Sequence, residues 1–463
     1  MTSNPSVVLR LGSHSEKEYF EKLLRFYDGF IVAANLLENT PKATASLVHS
    51  FSHKTKSNVP YYIDPMTYVF GCYVDNQGRL RDDLDWIKSE KKIKGGTIFD
   101  FKSSYKSMSE KFGGPFEIST RNPRERHSAI QPTTFSSPQE IENTCRNILD
   151  YQENYVKTVL ESSLGKEMLE LFRDTTPLPA AVYAPYFYVE PSRASEWLEL
   201  NLKFMTSAVG MGCKSPIHGV LCIDASSLLD SAFLKKIIDG VAATKVNGIW
   251  LWISKLNEDN QKDAQLGEKL FSLKNVVQRL SESMTVYNMH GGYFSMLLSK
   301  FGMAGISHGV GYGEQKDVVP VIGQAIPTVR YYLPDLHRRL GVTQIKLYFN
   351  QLGISKPEDF HRMICDCVIC KGIVKEDVGD FDKFGEMNPP KLGSTRGSQT
   401  ADAAKISRFH FLLNRAREKK FVRETSIPAI LECLSNSYRK WEKFKDIKEY
   451  SEHIPVWGHV LDQ

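Results

Sequence analysis

The chain has 463 residues, of which 41% are hydrophobic and 24% charged, and its formal net charge is +5. That is an ordinary globular composition, long enough for one large domain plus an appendage. It excludes a membrane-spanning chain, because the longest apolar run, near Ala180 to Val189, is short and contains Pro185.

Other features agree on a cytoplasmic protein. Glu16, Lys17, Glu18 and Glu21 arrive too early for a signal core. Cys72, Cys145, Cys213, Cys222 and Cys433 are scattered without disulfide-like spacing. The mild excess of base is concentrated locally. Lys88, Lys91, Lys92 and Lys94 form one cluster, and Arg121, Arg124 and Arg126 another. Seven Lys or Arg and a single acid, Glu418, lie between Lys405 and Arg423. Basic patches under a modest total charge fit a protein that meets a polyanion on one face, although solvated surface is the competing explanation for any one patch.

In chain order, Val7 to Leu11 predicts a first strand. Ser15-Glu-Lys-Glu18 predicts a capping box opening a helix with Phe20, Leu23, Leu24 and Tyr27 on its apolar face. Phe30 to Ala34 is the second strand, and Tyr61-Tyr-Ile63 the third, ending at Asp64-Pro65. A long insertion runs from about Cys72 to Asp174. Its clearest helix opens at Ser137-Pro-Gln-Glu140, with a cap, a proline in the first turn and a reciprocal glutamate. Strand four starts at Ala181 to Ala184. Strand five is Gly219 to Ile223, ending at Asp224, and strand six is Gly248 to Ile253. Strand seven is Thr285 to Met289, ending at His290-Gly291-Gly292. Strand eight is Gly305 to His308, leading into Gly309-Val-Gly-Tyr-Gly-Glu314.

Eight βα units predict a (β/α)8 TIM barrel over residues 1–340, with a helical insertion at about 72–175. Residues 341–463 form a C-terminal zinc-binding helical subdomain. A doubly wound open sheet is the competing fold, weakened by the lack of G-x-G-x-x-G after the first strand. Gly379 to Asp402 reads as a flexible excursion, and helices continue through about Tyr450.

Cys365-Asp-Cys367-Val-Ile-Cys370 supplies three thiols at C-x-C-x-x-C spacing, one ligand short of a closed tetrahedral site. His410, on a basic amphipathic helix, completes a Cys3His set suited to one structural zinc; His361 is the rival fourth ligand. Arg408, Arg415, Arg417 and Lys420 lie on the same helix.

In a TIM barrel the working residues stand at the C-terminal ends of strands. That rule selects Asp64, Glu190, Asp224, His290 and His308. A turn cap is the competing role for Asp64. For His290, beside Gly291 and Gly292, a packed or turn histidine is the alternative; Gly309, Gly311 and Gly313 let the backbone approach a ligand closely, with a plain loop the competing reading. Tyr61, Tyr62, Tyr68, Tyr183, Tyr186, Phe187, Tyr188, Tyr293 and Tyr312 crowd the same rim. Rings beside carboxylates suit a flat base, and ordinary barrel packing accounts for others of them.

A barrel followed by C-x-C-x-x-C and a later helical histidine resembles the tRNA-guanine transglycosylase superfamily. By strand count, Asp64 matches the family's aspartate at the end of strand three. The tRNA enzymes carry D-S-G-G-F-Q there, whereas this chain has Asp64-Pro-Met-Thr-Tyr-Val-Phe70. Their strand-eight aspartate falls on Ser307, His308 or Gly309 here, with no carboxylate, and Asp335 is the nearest later candidate. The spacing from Cys370 to His410 is wider than the family pattern. These departures look closest to the branch that inserts 7-deazaguanine bases into DNA in phages and bacteria. The resemblance implies exchange of guanine in DNA, with tRNA the alternative, for a free base such as 7-cyano-7-deazaguanine. It implies Asp64 as nucleophile or base, Asp335 or Asp224 as partner, Glu190, Asp224, His290, Gly291 and His308 around the base, and Arg408, Arg415, Arg417 and Lys420 as phosphate contacts on the zinc-held tail. An oligomer is compatible with all of this.

Overall fold

A computed structural model of the protein describes residues 5–54, 59–71, 87–93, 96–121, 129–173, 177–310, 317–318, 330–390 and 397–463. Cys72, Lys94, Arg124, Arg126, Asp174, Gly311, Tyr312, Gly313 and Glu314 lie outside them, as do the side chains of Lys88, Lys91, Lys92 and Arg121. The chain divides into two compact units, residues 1–257 with 271–323, and residues 258–270 with 324–463.

The first unit is a nearly closed, eight-stranded parallel barrel with helices around it. Its strands are β1 (Ser6–Leu11), β2 (Gly29–Ala33), β3 (Tyr61–Asp64), β4 (Val182–Tyr183), β5 (Ile217–Asp224), β6 (Gly248–Ser254), β7 (Thr285–Asn288) and β8 (Met303–Gly309). Hydrogen bonding runs β3-β2-β1-β8-β7-β6-β5-β4, and β1 joins β8 in the register Val8 to Ser307 and Arg10 to Gly309. At the remaining seam the Ala180 amide donates to the Tyr61 carbonyl at 2.8 Å. Every residue of β5 and β6 is buried, which is why these strands read as unbroken apolar runs.

Between β3 and β4 lie the helices Ser103–Phe112, Gly114–Arg121 and Pro138–Arg173. The last opens as its sequence predicts. Ser137 Oγ accepts from the Glu140 amide at 3.3 Å, while Glu140 Oε2 accepts from the Ser136 and Ser137 amides at 2.7 and 3.3 Å. The earlier box fails. The helix Lys17–Leu23 has no side-chain cap, and the neighbouring Glu16 turns back to accept from the Gly12 amide at 2.8 Å. A buried carboxylate with a backbone donor at hand outcompetes the exposed Ser15–Glu18 pairing.

The second unit carries an antiparallel hairpin, Tyr331–Leu333 with Arg338–Leu340. Its main helices are Val368–Ile373, Ala401–Glu424, Ile427–Trp441 and His453–Asp462. Residues 258–270 belong to it partly because the Trp457 indole donates to the Glu258 carbonyl at 2.7 Å. The expected excursion at Gly379 to Asp402 is built in at both ends. Phe381 and Phe384 are fully buried and pack edge-on against Tyr331, and Asp402 already belongs to the helix. Helices also run past Tyr450 to Asp462. No described helix is long and apolar enough to cross a membrane.

Two buried histidines make folding pH-dependent. His218 in β5 accepts from the Trp250 indole through Nδ1 at 3.1 Å, and burial pushes its pKa down to about 4. In the second unit His453 Nε2 donates to the Leu336 carbonyl at 3.0 Å, and burial likewise lowers it to about 4. Both pKa values fall below the unfolded value of 6.5, so the unfolded chain binds the extra protons. Each site then contributes stability that is full above about pH 6.5 and is lost as pH falls toward about 4, up to ~3 kcal/mol apiece. Urea melts from pH 7 to pH 4.5 are expected to show this loss. His218→Asn, which keeps an acceptor for Trp250, should flatten the slope; an unchanged slope would remove His218 from the account.

Candidate functional site

The thiols of the second unit form a knuckle. The Cys367 amide donates to Cys365 Sγ at 3.5 Å, and the Cys370 amide donates to Cys367 Sγ at 3.4 Å. Cys367 thereby caps the short helix Val368–Ile373. His410 reaches the knuckle from the long helix Ala401–Glu424, its Nδ1 lying 3.3 Å from both Cys367 Sγ and Cys370 Sγ. All four ligand atoms lie within 4.8 Å of one another, and all four residues are buried.

These residues fit a metal ion such as zinc. The His410 Nε2 hydrogen goes to the Tyr332 carbonyl at 2.7 Å, so Nδ1 presents its lone pair to the sulfurs. Tyr331 stacks on the imidazole at 4.1 Å and its hydroxyl lies 3.2 Å from Cys370 Sγ. Asn414 Nδ2 is 3.1 Å from His410 Nδ1, and its Oδ1 is 3.5 Å from Cys365 Sγ. Hydrogen bonds from the Cys365 and Cys370 thiols hold the Cys367 thiol down to about 3, whereas burial pushes Cys370 well up. A bound cation is what allows all three sulfurs to ionise together. The rival His361 is not in the cluster; its nitrogens face the Cys365 and Val374 carbonyls at 3.2 and 2.9 Å. Tyr331→Phe is expected to weaken zinc binding by about 10-fold or more, checked by competition with a chromogenic chelator.

The barrel's candidate site begins at Asp64, which is fully buried at the end of β3. Arg10 Nη2 donates to Asp64 Oδ2 at 2.9 Å, Tyr186 Oη donates to Oδ1 at 2.8 Å, and the Met66 amide donates to Oδ1 at 3.0 Å. The last contact is the turn cap that an Asp-Pro pair suggests, so the cap and the ion pair coexist. Met66 takes a left-handed conformation with φ of 52°, which turns the chain so that Thr67 Oγ1 meets the Tyr186 carbonyl and amide at 2.6 and 2.8 Å. Burial opposes the Arg10 charge, but the Asp64 carboxylate outweighs it and raises the pKa. Burial, then the Asp64 charge, pushes the Tyr186 and Tyr68 hydroxyls well above their ordinary range, so both stay protonated.

Rings frame this carboxylate. Tyr68 stacks on Tyr186 at 5.8 Å and meets Trp252 edge-on at 4.9 Å, and Trp252 contacts His290 at 4.8 Å. Below them Tyr62 stacks on Tyr183 at 6.1 Å, and Trp250 on Tyr287 at 4.5 Å.

Asp224 ends β5 and is also buried. It accepts from Lys255 Nζ at 2.7 Å, Tyr188 Oη at 2.9 Å, and the Ser226 amide and hydroxyl at 3.0 and 2.7 Å. Burial works to raise its pKa, but those donors prevail and lower it. Lys255 remains largely exposed, on a left-handed backbone with φ of 64°. Glu190 is half-buried beside the short strand Tyr188–Val189. The His290 amide donates to Asn288 Oδ1 at 3.1 Å. Gly291 cannot carry a side chain without a clash, since a Cβ there would lie 2.7 Å from Ile306 Cγ2. His308 is buried, its Nδ1 3.0 Å from the Gly309 carbonyl and its ring edge-on to Tyr27.

The other expected site residues take different places. Asp335 belongs to the second unit, where Lys440 and the Trp441 indole hold its carboxylate. Arg415 is buried and donates to Glu418 at 2.8 Å, in a network that Tyr332 and His337 complete at 2.6 Å each. Arg417 pairs with Asp366 at 2.7 Å, Arg408 is half-buried and Lys420 is exposed. Tyr186 was among the rim rings expected from the sequence, whereas Arg10, Lys255, Tyr331 and Asn414 were not legible as site residues. Of these four Arg10 left a signal, being the single charge in the apolar run Val7 to Leu11.

Fold and site together define a parallel eight-stranded α/β barrel protein with a C-terminal Cys3His metal-type cluster. No protein-family model matches the chain, and no curated protein is significantly similar to it.

Proposed function

We propose that this protein is a guanine transglycosylase that exchanges guanine in DNA for a free 7-deazaguanine base, in the manner of the superfamily it resembles. The observation that carries the reading is the state of Asp64. Its Oδ1 is taken by two donors, while Oδ2 accepts only from Arg10 among the described residues. Oδ2 therefore keeps a lone pair on a carboxylate held beside aromatic rings at the end of a barrel strand.

In this mechanism the target guanosine is flipped from its stack. Asp64 Oδ2 forms a bond to C1′ as the bond to N9 breaks, and guanine leaves with that electron pair and takes up a proton. The incoming base then gives up its N9 proton and attacks C1′ through N9 as the bond from C1′ to Asp64 Oδ2 breaks and the carboxylate is restored, as in a retaining glycosidase. Asp224, kept ionised by its donors, accepts from the N–H edge of the base once the exposed Lys255 swings aside. Cys365, Cys367, Cys370 and His410 would hold one zinc, which would brace the second unit and take no part in the base exchange. The exposed Lys420 and Arg417 meet phosphates.

A second reading, a nucleic-acid-binding relative without catalysis, draws on the end of β8, where Ser307 and His308 stand and no carboxylate does. Labelled guanine supplied with DNA and separately with tRNA separates the readings. Exchange into DNA by the wild type and not by Asp64→Asn supports the first. Exchange into tRNA alone moves the substrate to tRNA. Binding without exchange into either polymer leaves the second.

A further inference from the structure

Two buried donors beside Asp64 have no protein acceptor among the described residues. They are Arg10 Nη1, the second terminal nitrogen of the guanidinium whose Nη2 holds Asp64, and the Tyr183 hydroxyl. The Arg10 side chain is 11% exposed and Tyr183 is wholly buried. Buried donors are nearly always satisfied, so a pair left over at one place calls for an acceptor. Neither group is loosely placed. Arg10 is clamped by Asp64. Tyr183 is pinned through its backbone, since its amide donates to Gln152 Oε1 at 2.7 Å and its carbonyl accepts from Gln152 Nε2 at 2.8 Å. Tyr183 stacks on Tyr62, which shares one face of β3 with Asp64 because side chains alternate along a strand.

The nature of the acceptor follows from charge and shape. Asp64 already balances Arg10, so a phosphate or carboxylate would add an uncompensated negative charge to a buried site. A neutral carbonyl oxygen would not, and it can accept from both donors. The neighbouring rings Tyr62, Tyr68 and Trp252 suit a flat heterocycle.

We propose that Arg10 Nη1 and Tyr183 Oη read a ring carbonyl of a planar heterocycle bound beside Asp64. Resting on the function proposed above, that carbonyl is the 6-oxo group of guanine or of a 7-deazaguanine. The guanidinium then orients the nucleophile with one nitrogen and selects the base with the other, which a lysine cannot do. Bases lacking the 6-oxo group leave both donors unpaired and are rejected.

Equilibrium dialysis of the full chain with radiolabelled guanine, competed by 2-aminopurine, tests this. The two bases differ at the 6-oxo group and at N1, which carries a hydrogen only in guanine, so the variants isolate the oxo contact from the one proposed for Asp224. Wild type is expected to prefer guanine by about 100-fold or more, and Tyr183→Phe and Arg10→Lys each to shrink that preference by about 10-fold. Arg10→Lys keeps a cation for Asp64. Tyr183→Phe removes one oxygen, so it decides the matter if the Arg10 variant does not fold. Wild-type preference that survives Tyr183→Phe and a folded Arg10→Lys overturns the donor assignment and leaves the transglycosylase reading standing. Equal wild-type affinity for the two bases also overturns the assignment. Binding of neither base overturns the purine-site reading itself, and the donor assignment with it.

Discussion

Asp64→Asn is expected to lower guanine exchange by on the order of 10^4-fold, with the polymer still bound. Asparagine keeps the size of the side chain and an acceptor for Tyr186 and the Met66 amide, but it cannot form the ester to C1′. The variant also leaves the Arg10 guanidinium buried without its anion. Removing one partner of a buried pair costs ~3–5 kcal/mol, so the melting temperature should fall as well. Activity must therefore be compared at a temperature where both proteins are folded. Exchange by folded Asp64→Asn at the wild-type rate would remove Asp64 from the chemistry. An Asp224→Asn variant separates the roles of the two carboxylates. It should weaken binding of the free base more than it slows the exchange step, because its proposed contact is to the N–H edge of the base.

Stripping the metal is expected to have the largest effect on stability. Purified protein should carry one zinc per chain. A strong chelator, or Cys370→Ala, should open the second unit to proteolysis within the helix Ala401–Glu424. The reason is geometric. His410 and the three sulfurs lie within 4.8 Å of one another in a buried site, and three thiolates so close repel strongly without a cation. Structural zinc contributes ~10 kcal/mol or more to folding in small domains. The affinity should fall as pH drops, because protons compete with zinc for the sulfurs. Zinc well below one per chain, with no change in proteolysis on chelation, would sink the assignment.

The barrel was legible because its signal is local. Short apolar strands alternating with helical periods are visible within windows of about ten residues, and each of the eight expected strands has its counterpart in the structure. The thiol cluster was legible for the same reason, since C-x-C-x-x-C spacing alone places three sulfurs on one knuckle. The contacts of Asp64 were not. Arg10 lies 54 positions away and Tyr186 lies 122, and no periodicity links them. The basic helix shows the opposite error. Its sequence presents a row of cations, yet Arg415 is turned inward onto Glu418, three residues along the same helix. A charge count cannot distinguish a solvated arginine from one that neutralises a buried acid.

The amino-acid sequence by itself determined the order of strands and helices, the three sulfur ligands and the acidic ends of β3 and β5. Hydrogen bonding within a few residues and the alternation of apolar side chains set these features. Only the tertiary structure decided that His410 rather than His361 faces the sulfurs, that Asp335 is held by Lys440 and Trp441, and that Arg10 is the ion partner of Asp64. Those outcomes depend on which charges become buried together. A buried charge must find its counter-charge wherever the fold brings one, and chain distance carries no information about that.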